Sequence, residues 1–304
     1  FVTAPGGEVH QEVSDADHRT TVVDLRGEPD PVGAARRLAE AELDRPFDVE
    51  HGPLLRMVVY RVADERNQAF LGAHHLVLDG TAVGMIFSTA MSRYGDQQAG
   101  RTPAAPRDWS LDALLDAEAE YRESAEFASS QDFWLQHVAG APRPPLLLEG
   151  TDPMPRRAII GDVPLADADY DRLYQTAREL GVRTAGLLMA ALAGFLHRRT
   201  GQHDLLLAVP MSTRTSAALR AHLGTLATVL PVRVRLRAGA DWRQTAGDID
   251  ATLSEVLPHS RFRGEDLRRA LRDSGVERRL LGVGANVLPL STRPFERAGF
   301  EATL

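Results

Sequence analysis

The sequence predicts a mixed α/β protein whose strands and helices are shared between two halves of one chain. Three observations carry that expectation. Strand-length apolar runs alternate with helix-length amphipathic segments along all 304 residues. Residues 141–155 hold five prolines, a density that suits a crossover and not the interior of a helix or sheet. Hydrophobic residues make up 43% and charged residues 25% of the chain, enough apolar side chain for one large core or two smaller ones, and unlike a disordered or collagen-like composition.

Taken in order, residues 1–13 predict a hairpin around Pro5-Gly6-Gly7. Residues 22–25 predict a short strand, and 32–43 a helix that stops before Pro46. The apolar runs 54–62 and 69–78 flank a polar turn at 64–67 and predict adjacent central strands. A helix is expected over 81–94, a polar, proline-containing loop over 95–109, and one long amphipathic helical stretch over 111–138, with Phe133-Trp134-Leu135 as its apolar anchor. The second half restarts with a strand at 157–163. Helices follow at 166–180 and 184–199, strands at 205–209 and 228–236, and helices at 242–257 and 265–273. The glycine-bearing apolar run 280–290 should contain a last strand.

Charge and composition narrow the function classes. Thirty-five basic residues, every one an arginine, stand against 42 acidic ones, for a net charge of −7. A net acidic surface disfavours nucleic-acid binding, which needs a concentrated basic face. The lack of cysteine removes disulfides, thiol nucleophiles and Cys-ligated metals. No apolar run reaches roughly 18 residues, and Phe1-Val2-Thr3-Ala4-Pro5 does not read as a signal peptide, so a soluble, cytoplasmic protein without a membrane partner is expected. The lysine-free composition suggests a GC-rich source such as an actinobacterium. The chain starts without methionine, in strand-like sequence, as a fragment would.

One local signal stands out. His74-His75-Leu76-Val77-Leu78-Asp79-Gly80 closes the second central apolar run just before a helix. Neighbouring residues of a strand point to opposite faces, so one imidazole is expected toward a cleft and the other inside. Imidazole titrates near neutrality and serves proton transfer. Asp79 stands where the chain must turn, and suits ordering that turn, pairing with an arginine or accepting an imidazole proton. Gly80 permits a tight turn or close approach by a ligand. Each residue also has an ordinary packing role: a lone histidine is more often structural than catalytic, and Leu76, Val77 and Leu78 suit strand packing. Diverging imidazoles with no third ligand nearby argue against a metal site. The sequence has neither the serine-hydrolase elbow nor a dinucleotide or phosphate-loop glycine pattern.

Residues 74–80 match the HHxxxDG motif, and the chain around them resembles the condensation domains of nonribosomal peptide synthetases, in the chloramphenicol acetyltransferase-like superfamily. Arg45-Pro46-Phe47-Asp48 followed by Gly52-Pro53-Leu54-Leu55-Arg56 resembles that family's approach to the motif strand. Phe133-Trp134-Leu135 resembles the helix end before the inter-lobe crossing, and 184–196 the first core helix of the second lobe. Val209-Pro210-Met211-Ser212-Thr213-Arg214 looks like the arginine motif, and 224–233 like the segment written GxxxNTLPLR. These matches run in order along essentially the whole chain. Residues 284–290, preceded by Arg261-Phe262-Arg263 and 267–274, are similar to the siderophore-synthetase type.

The resemblance implies two chloramphenicol-acetyltransferase-like lobes forming a V-shaped pseudo-dimer, truncated at both ends: residues 1–150 carry the histidine motif, and 151–304 form an incomplete second lobe. It implies amide formation between a donor acyl or peptidyl thioester and an acceptor aminoacyl thioester. His75 is then the principal active-site group, deprotonating or positioning the amine, and His74 supports it from inside. Asp79 pairs with Arg214, and Gly80 lies beside the pantetheine arm. No cofactor is bound directly; 4'-phosphopantetheine arrives on donor and acceptor peptidyl carrier proteins, with adenylation and carrier domains in the same assembly line. The chain departs from the family at Thr228, which replaces an asparagine, with Asn286 in a later echo, and at Thr81-Ala82, where Trp-Ser or Phe-Ser is commoner. Two alternatives stay open. One is an acyltransferase working from acyl-CoA or an acyl carrier on a soluble amine or alcohol. The other is a non-catalytic carrier-binding domain.

Overall fold

The computed structural model describes residues 1–12, 19–105, 111–146, 161, 163–276, 279–287, 295–297 and 300–302. They belong to two compact units: Phe1–Arg107, His222–Thr225 and Pro294–Leu304 in the first, Asp108–Ala221 and Leu226–Arg293 in the second.

In the first unit the expected hairpin forms from β1 (Val2–Thr3) and β2 (Val9–His10). β3 (Thr21–Asp24) runs parallel to β4 (Leu55–Ala63), which pairs antiparallel with β5 (Arg66–Ala73). A parallel pair needs a crossover, and α1 (Pro31–Asp44) supplies it. Asp30 caps α1 by accepting the Gly33 N–H at 3.0 Å, and Pro31 occupies the first turn, where a missing N–H costs nothing. Alternation along β4 turns Val58, Tyr60 and Val62 inward onto Leu25, Ala34 and Ala35. α2 (Gly80–Gln98) follows the histidine motif.

The second unit contains α3 (Asp112–Arg122), α4 (Ala125–Val138), α5 (Asp167–Leu180) and α6 (Thr184–Thr200). β6 (Asp204–Ser212) and β7 (Ala227–Arg235) pair antiparallel along their whole length, with the short α7 (Ala217–Ala221) between them. α8 (Trp242–Val256) opens on a capping box in which Asp241 and Gln244 each bond the other's backbone N–H. α9 (Gly264–Asp273) completes its helices. Helices α4, α8 and α9 all pack on β7. Leu205, Leu206 and Leu207 are fully buried, so β6 is covered on both faces, and each such leucine contributes about 1.5–3 kcal/mol of burial. Back in the first unit, β8 (Phe295–Arg297) and β9 (Phe300–Ala302) form a further antiparallel pair. Among the described residues, no single helix is long and apolar enough to cross a membrane.

The structure departs from the sequence reading at several places. The single helical stretch over 111–138 is two helices. The Ser124 hydroxyl donates to the Tyr121 carbonyl at 2.7 Å and accepts the Phe127 N–H at 3.2 Å, closing α3 and capping α4. The run at 280–290 shows, among the described residues, one parallel bridge to Ala208 instead of a strand. There Gly284 approaches so closely that a Cβ would overlap the Ala208 carbonyl oxygen and lie 2.8 Å from its Cβ. The strand expected at 157–163 falls almost wholly outside the described residues. The expected lobes, 1–150 and 151–304, divide the chain by order, whereas the units divide it by packing. Trp134, Val138 and Ala141 lie in the core of the second unit, so α3 and α4 are grouped there.

Polar contacts reinforce the α4–β7 packing. His137 Nε2 accepts the Arg233 N–H at 2.8 Å, and Phe133 stacks on both His137 and His259, with ring centroids 5.5 and 4.0 Å apart. Burial, helped by the Arg233 and Arg235 charges, pushes His137 down to about 4 from an ordinary value of 6.5. Burial holds His259 below its ordinary value as well. Between those limits the unfolded chain binds a proton that the folded one refuses, so stability is lost as pH falls through the unfolded value and levels off below the folded one. Urea unfolding is therefore expected to show a loss of about 1–2 kcal/mol between about pH 7.5 and pH 5, allowing for partial solvent screening of the ring. Equal stability at the two pH values would refute that linkage.

Candidate active site

β5 ends at Ala73, sooner than the sequence predicts, and the histidine pair sits in the turn beyond it. The His74 N–H makes one last rung to the Leu54 carbonyl at 2.9 Å, and the His74 carbonyl then accepts the Val77 N–H at 3.0 Å. A turn and not a continuing strand carries the pair, so the strand alternation expected for the two rings does not apply. His74 is half-buried and His75 exposed.

His74 is held on several sides. Its Nδ1 accepts the Leu76 N–H at 3.1 Å, which places the hydrogen of the neutral ring on Nε2. Its ring meets Phe47 edge-on, with centroids 5.9 Å apart. Phe47 in turn carries the Arg56 guanidinium 3.9 Å from its centroid. Arg56 donates to the carbonyls of Glu42 (3.1 Å), Arg45 (2.8 Å) and Pro46, tying the end of α1 to the loop that presents Phe47. The two segments around Phe47 and Arg56 were legible as motifs, but their support of His74 was not.

The His75 carbonyl accepts the Thr225 hydroxyl at 2.5 Å. Thr225 lies 150 residues away in the chain, and no local pattern announces the contact.

Asp79 is 3% exposed and caps α2: its Oδ1 accepts the Ala82 N–H at 2.9 Å and its carbonyl the Val83 N–H at 3.0 Å. Of the roles weighed for it, ordering the turn is the one these bonds perform, at a typical value of about 1 kcal/mol. Gly80 is the first residue of α2. Its φ is not left-handed, and an added Cβ would meet nothing within 4 Å. Neither a tight turn nor crowding by the protein therefore demands glycine here; the space beside it is open.

Arg214 is buried at 8% exposure in the second unit, between β6 and α7, with its N–H on the Ser212 hydroxyl at 3.3 Å. Its neighbour Thr213 donates both N–H and hydroxyl to the Leu226 carbonyl, at 2.7 and 3.0 Å. Thr228, which stands at the asparagine of the resembled pattern, is buried and accepts the Gly264 N–H at 2.9 Å, satisfying a donor at the start of α9.

Among the described residues, no group of three or more His, Asp or Glu side chains converges as a metal cluster would. A groove of 810 Å³ in the second unit is lined by residues that include Phe195, His203 and Trp242, and none of the sequence-predicted site residues faces it.

The family model described as "Condensation domain" matches residues 1–284. The isonitrile lipopeptide synthase of Streptomyces coeruleorubidus is 32% identical over 289 residues, which cover 94% of this chain and 19% of that protein. The dimodular nonribosomal peptide synthase of Bacillus subtilis (strain 168) is 26% identical over 273 residues, 90% of this chain and 12% of that one. The chain thus spans less than a fifth of the length of either relative. Among solved structures, the starter condensation domain of rhizomide synthetase, a variant in complex with C8-CoA, superposes with a TM-score of 0.90 at 28% identity, covering all of this chain and 68% of that one. The first condensation domain of the calcium-dependent antibiotic synthetase, in complex with a substrate analogue, gives 0.79 at 28% identity over 98% of this chain and 65% of that one. The mixed α/β fold expected from sequence is the fold these structures share.

Proposed function

The chain belongs to the condensation-domain family, and from that membership we propose that it joins a donor acyl or peptidyl thioester to the amine of an acceptor aminoacyl thioester. The amine nitrogen attacks the donor carbonyl carbon, the carbon–sulfur bond breaks, and the donor thiol leaves with a proton. The new amide stays on the acceptor thioester. The observation that carries the proposal is His75: an exposed imidazole on a turn whose neighbours are fixed by His74, Thr225 and the Asp79 cap. Its role is to take the amine proton, or to orient the amine and offset the developing charge. Holding both reactants in line supplies much of the rate in either case.

In this proposal the thioesters arrive on 4'-phosphopantetheine arms of donor and acceptor carrier proteins, loaded by adenylation domains of one assembly line. The names of the multidomain relatives support such partners. Residues 1–150 and 151–304 are proposed as the two lobes. Asp79 and Arg214 are proposed as an ion pair, supported by the burial of both; removal of either would strand the other's charge. The siderophore-type placement extends the proposal through the pattern at 284–290, although Phe262 and Gly284 in that pattern also have packing reasons of their own. The direct test is amide formation between two loaded carriers with the full-length protein, and a preference for a seryl acceptor would mark the siderophore type.

A second reading has its own support. The lipopeptide relative and the C8-CoA complexes of the rhizomide domain favour a fatty acyl-CoA as donor. Turnover with C8-CoA and a loaded acceptor, without any donor carrier, would distinguish it.

Gly80 yields a separate expectation. Gly80→Ala enters open space at a helix start, so the melting midpoint is expected to stay the same or rise slightly. Turnover with pantetheine-linked substrates is expected to fall by about tenfold or more, since a methyl group would occupy the arm's path. Unchanged turnover would remove Gly80 from the substrate path.

A further inference from the structure

We propose that Thr225 is a positioning residue for His75. The inference rests on the amide-forming function above and adds a residue to it. Thr225 ends the short segment His222–Thr225, which packs with the first unit although the chain on both sides belongs to the second. Its hydroxyl donates to the His75 carbonyl at 2.5 Å, and the next residue, Leu226, has its carbonyl held by both donors of Thr213. The residue that follows Thr225 is thus anchored through its own carbonyl.

The bond matters because of where His75 sits. It lies beyond the last rung of β5 and before the cap of α2, so no sheet or helix ladder fixes its carbonyl. A side-chain donor on that carbonyl limits rotation about the Cα–C bond of His75, and through it the direction in which Cβ and the imidazole leave the turn. Small errors in the placement of a reacting group are enough to lower a rate by orders of magnitude. The hydroxyl bonds the backbone of His75, so Thr225 acts through that residue.

The test compares Thr225→Val, which keeps the shape and removes the donor, with Thr225→Ser, which keeps the donor, in the full-length protein. With two loaded carriers, Thr225→Val is expected to lower kcat about tenfold or more, with KM for each carrier within about twofold. Thr225→Ser is expected to recover most of kcat at an unchanged melting midpoint. The His75 ring resonances should shift in the Val variant and stay near wild type in the Ser variant, a readout that needs no turnover. Wild-type kcat and resonances in Thr225→Val would overturn the proposal. So would a Ser variant as impaired as the Val variant, or losses that merely track melting midpoint. If Thr225→Val does not fold, Thr225→Ala takes its place in the same comparison. A wild-type protein inert toward all thioesters would count against the amide-forming function, while the resonance comparison would still decide whether Thr225 positions His75.

Discussion

His75→Ala is expected to lower amide formation between loaded carriers by about 10²–10⁴-fold while leaving the fold intact. The His75 side chain is exposed, and its backbone carbonyl, which accepts from Thr225, survives the substitution. The melting midpoint should therefore stay within experimental error of wild type, and KM for both carriers should change little, because carriers contact far more surface than one imidazole. His74→Ala should behave differently. It removes the acceptor for the Leu76 N–H and the edge contact with Phe47, so the midpoint drops together with the rate. Imidazole added to His75→Ala separates the two roles open to His75: restored turnover points to proton transfer, whereas a ring needed to orient the amine is not replaced by a diffusing one. Wild-type turnover by His75→Ala in a competent intact protein would sink the proposed role.

The elements around the site were legible from apolar runs and spacing. The run 54–62 marks β4, and the spaced apolar residues of 32–43, stopping before Pro46, mark α1. Asp79 is an N-cap residue type at the place where a helix was expected. What escaped reading has local physical reasons. The apolar spacing runs on through Ser124, so the break depends on one hydroxyl and not on a change of period. The apolar Leu76-Val77-Leu78 looks like continuing strand, yet the turn is closed by His74 itself through its carbonyl and Nδ1. Gly284 approaches Ala208 and Thr225 reaches His75 over long sequence separations, and a single sequence does not encode such contacts as a pattern. Thr228 was visible only as a departure, and its bond to the Gly264 N–H gives the departure a structural use.

Arg233→Met is expected to destabilise the protein by about 2–4 kcal/mol, more than His75→Ala or Gly80→Ala. One guanidinium joins three elements. It grips the Asp204 carboxylate of β6 with two bonds of 2.9 and 2.6 Å, and donates from β7 to the Ala139 and Gly140 carbonyls just past α4, at 2.6 and 3.3 Å. Its side chain is 10% exposed and that of Asp204 24%, so the pair is far less screened than a surface ion pair. Asp204 is held below the usual carboxylate range chiefly by the Arg233 hydrogen bonds, and its share of stability is present above the ordinary carboxylate value and lost as pH falls below it. Methionine fills much of the same volume but strands the carboxylate and both carbonyls, while Arg235, 3.7 Å from Asp204 and 65% exposed, is a weak substitute. Asp204→Asn should cost less, about 1–2 kcal/mol, because Arg233 keeps its two carbonyl acceptors. His137 supplies an internal check. Its backbone partner at position 233 remains in Arg233→Met, but one of the charges that lowers its titration is gone, so the acid-induced loss of stability should shrink and move toward neutral pH. Urea midpoints of the two single variants and the double variant, taken at about pH 7.5 and pH 5, test all of this. An Arg233→Met variant within about 1 kcal/mol of wild type, or no more damaged than Asp204→Asn, would show that the junction of β6, β7 and α4 is held by its apolar core alone.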